Sequence, residues 1–253
     1  MKVLGILASH QRDGLTAELL KTVLAAVPAP HTTETIFLDD YPFHPDQLHR
    51  PDPVLDELID KLLASDVWVL AAPTYWGGLA GSMKNCLDCL RGRLVRFDTR
   101  GDPHPDRFEH KHYLSITSCY ANTPTNLLTG VTDPTFRTLD KIMTTAGLIK
   151  IHEIVLTNTQ HMTTVPPAKL QECTDWGQRL ATKTKRDDQT MRRYLQLFLM
   201  VAIMALITMG LQLLFHVITT TNFWLIYGSF VIIFYGLLAM ILHFFTVVKH
   251  RRH

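Results

Sequence analysis

The stretch LGILASHQRDGLTAELL, residues 4–20, passes from an apolar run into a helical pattern through a short polar turn. The apolar run predicts a strand buried on both faces, and the leucines after the turn recur at helical spacing. Around Ser9, Gly14 and Thr16, hydroxyls, backbone amides and the positive end of the helix dipole can surround an anion. The stretch therefore predicts a strand–helix unit with a phosphate site or, alternatively, a plain turn with local hydroxyl caps.

Strands and helices continue to alternate as far as about residue 185. The predicted strands are Lys2–Ala8, Glu34–Leu38, Asp66–Ala72, His112–Thr117 and Leu148–Leu156. The predicted helices are Thr16–Val27, Pro53–Ala64, Gly81–Leu90, Asp133–Ala146 and Pro167–Lys183. Such alternation predicts an α/β, doubly wound parallel sheet covered on both faces by helices. Ligands of such sheets bind at the carboxyl ends of the strands.

The balance of charge argues against a nucleic-acid partner. The formal net charge is only +2, and no stripe of basic and aromatic residues occurs before residue 180. The hydrophobic fraction of 47% is large enough for one core and an additional apolar segment.

The additional apolar segment lies near the C-terminus, where no Asp, Glu, Lys or Arg occurs between Arg193 and Lys249. As one helix it would be about 80 Å long, far beyond a hydrocarbon core of about 30 Å, so it must fold back. The polar cluster at 219–222 predicts a bend between two transmembrane helices, Tyr194–Ile218 and Phe223–Val248. Because lysines and arginines flank the pair, the positive-inside rule predicts that both chain ends are cytoplasmic.

This interpretation divides the chain into four regions. They are a folded domain at 1–185, a basic juxtamembrane linker at 186–193, a transmembrane hairpin at 194–248 and a basic cytoplasmic tail at 249–253. The predicted location is the cell membrane, with two spans and the lipid bilayer as a partner. The apolar run at the start of the chain is too short for a secretory signal, and we expect reduced cysteines in a cytosolic domain.

A second loop adds a site for a planar ring. The stretch AAPTYWGGLAGSMKNCLDCL, residues 71–90, places two aromatic side chains and two glycines at the end of the third predicted strand. The aromatic residues offer a flat apolar wall, and the glycines let the backbone approach a ring closely. A phosphate site beside a ring site is what flavin mononucleotide (FMN) requires.

With these two loops the N-terminal domain resembles the flavodoxin-like NAD(P)H-dependent FMN reductase family, especially its multimeric-flavodoxin branch. Members carry a first loop of the form Gly-Ser-x-Arg-x-x-Gly-Asn-Thr and a second of the form Pro-x-Tyr-Trp-Gly-x-x-x-Gly-x-Met-Lys. The matching residues are Ser9, Gly14, Thr16, Pro73, Tyr75, Trp76, Gly77, Gly81, Met83 and Lys84. The first pattern is broken at Ala8, Gln11 and Leu15. The resemblance covers roughly residues 1–180 and implies a five-stranded sheet of order 2-1-3-4-5.

The resemblance implies a flavoprotein oxidoreductase that binds FMN, takes a hydride from NAD(P)H and reduces a small-molecule acceptor such as a quinone. The predicted transmembrane hairpin, which lies outside the family pattern, would anchor this enzyme to the membrane. No catalytic side chain is implied, because the flavin itself carries the redox chemistry. The implied FMN-binding residues are Ser9, Arg12, Gly14, Leu15, Thr16, Pro73, Thr74, Tyr75, Trp76, Gly77, Gly78, Ser118, Cys119 and Tyr120. A homodimer is implied as well. The alternative is a flavin-free, membrane-tethered interaction or scaffold module.

Two further motifs suggest metal or redox chemistry, but the pattern favours simpler interpretations. Cys86 and Cys89 share a helix face, yet neither two more ligands at matching spacing nor a helix N-terminus accompanies them, so we expect packing residues. The histidines at 104, 110 and 112 are interrupted by prolines and charges, which favours a solvated loop. No metal site is predicted.

Overall fold

Five long strands form one parallel sheet in the computed structural model. They are β1 (Lys2–Leu7), β2 (Thr32–Phe37), β3 (Val67–Ala71), β4 (His112–Ser118) and β5 (Ile149–Leu156). Their spatial order is β2-β1-β3-β4-β5, and every adjacent pair is parallel. The predicted α/β sheet of order 2-1-3-4-5 is therefore confirmed.

The structure describes residues 1–46 and 51–182, together with 198–199, 201–203, 205–206, 209–210, 223–228, 230–232 and 234–236. The chain divides into two compact units, Met1–Arg186 and Asp187–His253.

Seven helices are described in the N-terminal unit. They are α1 (Leu15–Ala25), α2 (Pro53–Ala64), α3 (Gly81–Cys89), α4 (Arg91–Leu94), α5 (Thr123–Thr129), α6 (Asp133–Thr145) and α7 (Pro167–Arg179). Short 3-10 turns lie at Leu38–Asp40, Thr159–His161 and Leu180–Thr182.

The sheet is covered on both faces, and its central strands β1, β3 and β4 are buried along almost their whole length. α1 and α7 pack on one face, and α2, α3 and α6 pack on the other. The contact between α1 and α7 is close, since a Cβ atom at Gly177 would collide with the backbone carbonyl of Val23. This arrangement leaves the carboxyl ends of β1, β3 and β4 at one edge of the sheet, where three loops begin.

The structure adds local elements that hydrophobic periodicity does not predict. Thr74–Tyr75 and Gly78–Leu79 pair as a small antiparallel hairpin directly after β3. Arg96–Phe97 pairs with Pro103–His104, so His104, expected to lie in a solvated loop, belongs to a short strand. The short helix α5 follows β4, with Asn122 capping its start and Gly130 ending it in the left-handed conformation.

In the C-terminal unit, the described residues between 198 and 236 are helical. The ring of Phe198 packs edge-on against that of Tyr235, and the Tyr227 hydroxyl donates to the Ala202 carbonyl at 3.1 Å. These contacts place the two described stretches side by side in opposite directions.

The predicted membrane location is wrong. A helix needs about 20 apolar residues to cross a bilayer, and none of the helices among the described residues is both long and apolar enough to do so. The longest helices with described bounds, α6 and α7, have 13 residues each. The two-span hairpin and the bilayer partner therefore lack support. The linker at 186–193 and the tail at 249–253 lie outside the described residues.

Candidate functional site

Three loops meet at the carboxyl edge of the sheet, where the chain order reverses between β1 and β3. Hydrogen bonds extend beyond the strands here: the Ala8 amide donates to the Ala71 carbonyl at 2.8 Å, and the Ala72 amide donates to the Ile116 carbonyl at 3.0 Å. The loops therefore leave from a rigid platform. In open α/β sheets this switch point is the usual ligand site.

The first loop leaves the start of α1 open. Gly14 is the N-cap residue, and within the described part of the chain no side chain caps the helix. The first-turn amides and the positive end of the dipole can therefore bind an anion. Two hydroxyl-bearing residues, Ser9 and Thr16, lie buried beside this turn with 7% and 4% of their surface exposed. Leu15 is half-buried, so its contribution to such a site is its backbone amide.

The Arg12 side chain contacts residues at the end of β2 and in the turn after it. Its guanidinium forms an ion pair with Asp40 and lies over the ring of Phe37, 4.3 Å from the centroid. Both partners belong to the end of β2 and the turn after it. The cation predicted to bind phosphate is therefore neutralised by a carboxylate.

The first and third loops are joined by a buried hydrogen bond. Thr16 Oγ1 and Ser118 Oγ are 2.7 Å apart, and Ser118 is 7% exposed. Two residues predicted separately as cofactor ligands therefore contact each other. The bond ties the first turn of α1 to the end of β4.

The second loop is a tight hairpin with an unusual tip. Trp76 and Gly77, its two turn residues, have φ angles of +52° and +70°. Positive φ at both positions defines the turn type that suits two-residue hairpins, but Asn-Gly is the usual pair. A bulky side chain rarely adopts this conformation, and Trp76 is also fully exposed. The hairpin thus carries a strained, uncovered aromatic residue, a combination that suggests a ligand surface.

Tyr75 connects this hairpin to the first loop. Its ring stacks on that of His10, with centroids 6.0 Å apart and planes inclined by 9°. His10 Nδ1 in turn lies 3.7 Å from a carboxylate oxygen of Asp39. Burial, together with the Asp39 charge, raises the pKa of Tyr75, so its phenol remains protonated at neutral pH. The predicted phosphate turn and the predicted ring wall are therefore neighbours.

The base of the hairpin is held by hydroxyls. Thr74 Oγ1 lies 2.8 Å from Thr117 Oγ1 on β4 and 2.8 Å from Thr135 Oγ1 on α6. All three residues are buried. Sequence reasoning missed Thr117 and Thr135. A threonine on the same apolar face of α6 as Leu139 and Met143 was the available signal.

The remaining predicted ligands differ in accessibility. Pro73 is buried, whereas Gly77 and Gly78 are half-buried in the hairpin. Cys119 is 2% exposed, and burial raises the pKa of its thiol, so this side chain packs inside the third loop. Tyr120 is 60% exposed beside it. Of the three ligands predicted in the third loop, Ser118 and Cys119 are buried and Tyr120 is exposed to solvent.

The two cysteines of α3 have the character of packing residues. Both are buried, and burial raises the pKa of Cys86 to about 12. A thiol with this pKa is not ionised at neutral pH, so it is neither a nucleophile nor a ready metal ligand. His104 is bonded through Nε2 to Asp98 at 3.2 Å, within the small hairpin at 96–104.

Comparisons with known proteins agree with this architecture. Residues 1–126 match the family model described as NADPH-dependent FMN reductase. No curated protein matches the sequence significantly.

Solved structures with the same fold share little sequence identity. A protein from Streptococcus mutans UA159 aligns with a TM-score of 0.60 and 15% identity, over 71% of this chain and 100% of its own. An FMN-dependent NADH-azoreductase from Bacillus anthracis, solved with FMN, aligns with a TM-score of 0.56 and 14% identity. The alignment covers 73% of this chain and 99% of the azoreductase. A NAD(P)H:quinone oxidoreductase from Methanothermobacter marburgensis aligns with a TM-score of 0.56 and 16% identity. The alignment covers 71% of this chain and 98% of the oxidoreductase. At these identities the neighbours establish the fold alone.

The family match covers most of the N-terminal unit, including β1, α1, β3 and the hairpin after it. The sheet order is flavodoxin-like, and the solved neighbours share the fold. The match to the NADPH-dependent FMN reductase family therefore lies in the N-terminal unit, and the protein is an oxidoreductase with FMN as its cofactor and NAD(P)H as its co-substrate.

Proposed function

We propose that FMN binds across the first two loops, with its phosphate at the start of α1 and its ring system against the hairpin. The observation that carries this proposal is the uncapped α1 terminus beside the exposed hairpin, joined to it by the stack of Tyr75 on His10. An anion at this terminus gains both the first-turn amides and the helix dipole. The ring system gains an aromatic surface from Tyr75 and Trp76.

Each group of residues has a distinct role in this proposal. Ser9, Thr16 and the amides of Gly14 and Leu15 hold the phosphate. Backbone of Pro73–Gly78 lines the ring and ribityl chain, and the segment Ser118–Tyr120 borders the site from the third loop. Arg12 supplies only long-range charge, because Asp40 holds its guanidinium.

The protein residues provide binding and orientation rather than proton transfer. When bound, FMN would supply the hydride and electron chemistry between NAD(P)H and the second substrate. The buried hydroxyls keep the three loops in fixed register, so the binding surface exists before the cofactor arrives. Exposed Trp76 and Tyr120 offer apolar surface at the rim.

We further propose that the acceptor is a planar, quinone-like molecule, bound in turn with NAD(P)H over the same face. Exposed aromatic side chains suit a flat acceptor, since they stack without requiring specific hydrogen bonds. Solved neighbours named as an azoreductase and a quinone oxidoreductase support this class of acceptor. The expected homodimer remains a prediction, which the mass of the purified protein in solution tests directly.

The direct test is whether the purified full-length chain carries flavin. We expect a yellow protein with flavin absorption bands, whose apo form regains them on addition of FMN. Such a protein should oxidise NADH or NADPH when a benzoquinone is supplied. A colourless chain that takes up no FMN would refute the proposal and favour the flavin-free interaction module.

A further inference from the structure

Three buried threonine hydroxyls meet beneath the hairpin, and they belong to three different elements. Thr74 starts the hairpin, Thr117 lies near the end of β4, and Thr135 lies in the first turns of α6. Thr117 and Thr135 are completely buried, and Thr74 is 4% exposed. Because Thr74 Oγ1 is within 2.8 Å of both other oxygens, it is the centre of the group.

This group is a connected hydrogen-bond network. Each hydroxyl has one proton to donate and lone pairs that accept, so three hydroxyls can form the two observed bonds in either direction. Buried polar groups left without partners destabilise a protein, so the three side chains constrain one another. The network therefore fixes Thr74 relative to both the sheet and α6.

The hairpin needs anchoring, because its own strands are short. Each of its strands has only two residues, and hairpins of this size have marginal stability alone. Its tip is fully exposed at Trp76, whose positive φ is intrinsically unfavourable. A strained conformation persists only where the surrounding structure determines it.

The end of β4 links this anchor to the phosphate turn. Adjacent residues of a strand point to opposite faces. Accordingly, Thr117 contacts Thr74 on the hairpin side, while Ser118 contacts Thr16 on the α1 side at 2.7 Å. One strand end therefore sets the spacing between the two loops.

We propose that Thr135 is a positioning residue: through Thr74 it holds the hairpin where it can bind the flavin ring. This inference rests on the proposed function. Thr135 lies outside the loops and touches no cofactor in the proposal, so its effect is transmitted by the network. Its removal should loosen the hairpin while leaving the phosphate turn intact.

The test compares Thr135→Val, which keeps the side-chain shape but removes the hydroxyl, with Thr135→Ser, which restores the hydroxyl. Thr138→Val is the matched control, because Thr138 lies on the same helix and, among the described residues, its hydroxyl donates to the Pro134 carbonyl at 2.8 Å, outside the threonine network. Binding of FMN and of riboflavin is measured by flavin fluorescence. Hydrogen–deuterium exchange of the amides at 74–79 is measured in the apo-protein.

We expect Thr135→Val to weaken binding of both flavins about fivefold, which is the loss of one neutral hydrogen bond. Exchange at 74–79 should accelerate, while Thr135→Ser and Thr138→Val stay near the unmodified protein. Thr117→Val removes the other arm of the network and should have the same effects, which covers the case in which Thr135→Val fails to fold.

Unchanged flavin affinity and unchanged exchange in the valine variants would overturn the inference. So would equal losses in Thr138→Val, or failure of Thr135→Ser to restore binding. If the unmodified chain binds no flavin while Thr135→Val still accelerates exchange, the proposed function fails but the anchoring of the hairpin stands. If it binds flavin and the variants match it, only the positioning role fails.

Discussion

Helices α1 and α2 each follow a strand of the same sheet, but they begin in opposite ways. α2 starts with Asp52, whose carboxylate accepts from the amides of Val54 at 3.0 Å and Leu55 at 3.1 Å. α1 starts with Gly14, which has no side chain to offer. The start of α2 is capped by its own side chain, which stabilises the fold, whereas the first-turn amides of α1 are left to bind an external anion.

The charged side chains near the two helix starts also differ, and the difference again favours an anion at α1 rather than at α2. Near α2, Arg93 is held by carboxylates of both Asp46 and Asp56. Together with Asp52, these acids make that end unsuitable for a phosphate. At α1 the acid in the preceding turn, Asp13, is paired with Lys21 at 2.6 Å, and its pKa is lowered by that contact. Stability is built into one helix start, and binding capacity into the other.

The largest effect should follow from giving α1 an aspartate N-cap like that of α2. In Gly14→Asp, the new carboxylate should cap the first-turn amides and repel the phosphate. The backbone there is already extended, so the side chain is tolerated once the Gln11 side chain moves aside. We expect FMN affinity to fall by about 3 kcal/mol, roughly a hundredfold, since charged hydrogen bonds of about 1.5–3 kcal/mol each are lost.

Two controls separate charge from shape in that experiment. Gly14→Ala introduces the Cβ without the carboxylate, and riboflavin lacks the phosphate. Both should show much smaller losses, and the aspartate variant should melt at the same temperature as the unmodified chain or higher. An equal loss with riboflavin would mean that α1 does not bind the phosphate.

The converse change concerns the cap of α2. Asp52→Ala removes both amide contacts, so the free energy of unfolding should fall by about 1 kcal/mol, as is typical for an N-cap. FMN affinity should not change. Asp52→Asn keeps an accepting oxygen and serves as the control, since it should recover most of the stability. Thermal unfolding measures the first quantity, and a fluorescence titration the second; a change in FMN affinity would contradict the assigned roles.

At the tip of the hairpin, Trp76 shows the same contrast between a residue that stabilises the fold and one that serves binding. Trp76→Asn installs the turn pair that this backbone prefers, so stability should rise by a fraction of 1 kcal/mol. The lost aromatic surface should weaken FMN binding by about 1 kcal/mol. Trp68 shows the other use of tryptophan: it is buried, and its indole donates to Ser65 Oγ at 3.0 Å. Unchanged FMN affinity would remove Trp76 from the site, and a loss of stability would contradict the strain assigned to its backbone.

Sequence reasoning succeeded where the signal is local. The strands follow from apolar runs, and α2 was predicted with its observed bounds because its leucines and Ile59 recur at helical spacing on one face. α5 was missed, since TPTNLLT has no apolar periodicity and none of its residues is buried. It forms through its caps at Asn122 and Gly130. Long hydrophobic runs near the C-terminus suggested membrane spans, which the described helices do not supply.

The candidate site was predictable only in part, for the same reason. The glycine turn and the aromatic loop are visible as motifs, because each is one contiguous stretch. The bond between Thr16 and Ser118 joins residues 102 positions apart, and that between Thr74 and Thr135 joins residues 61 apart. A motif within one loop cannot indicate a partner that lies so far away in the sequence. The ion pair that occupies Arg12 is of this kind as well.

The smallest effect should come from Arg12, although family resemblance makes it a phosphate ligand. Its guanidinium already contacts Asp40 and the Phe37 ring, so moving it to a phosphate would sacrifice both contacts. We expect Arg12→Ala to change FMN affinity by less than about 0.5 kcal/mol, near the value of an exposed ion pair. Asp40→Asn frees the cation instead and should strengthen FMN binding slightly, with the gain lost at high salt. A tenfold loss in Arg12→Ala would show that the guanidinium exchanges Asp40 for the phosphate, and α1 would then need a side-chain cation to bind its anion.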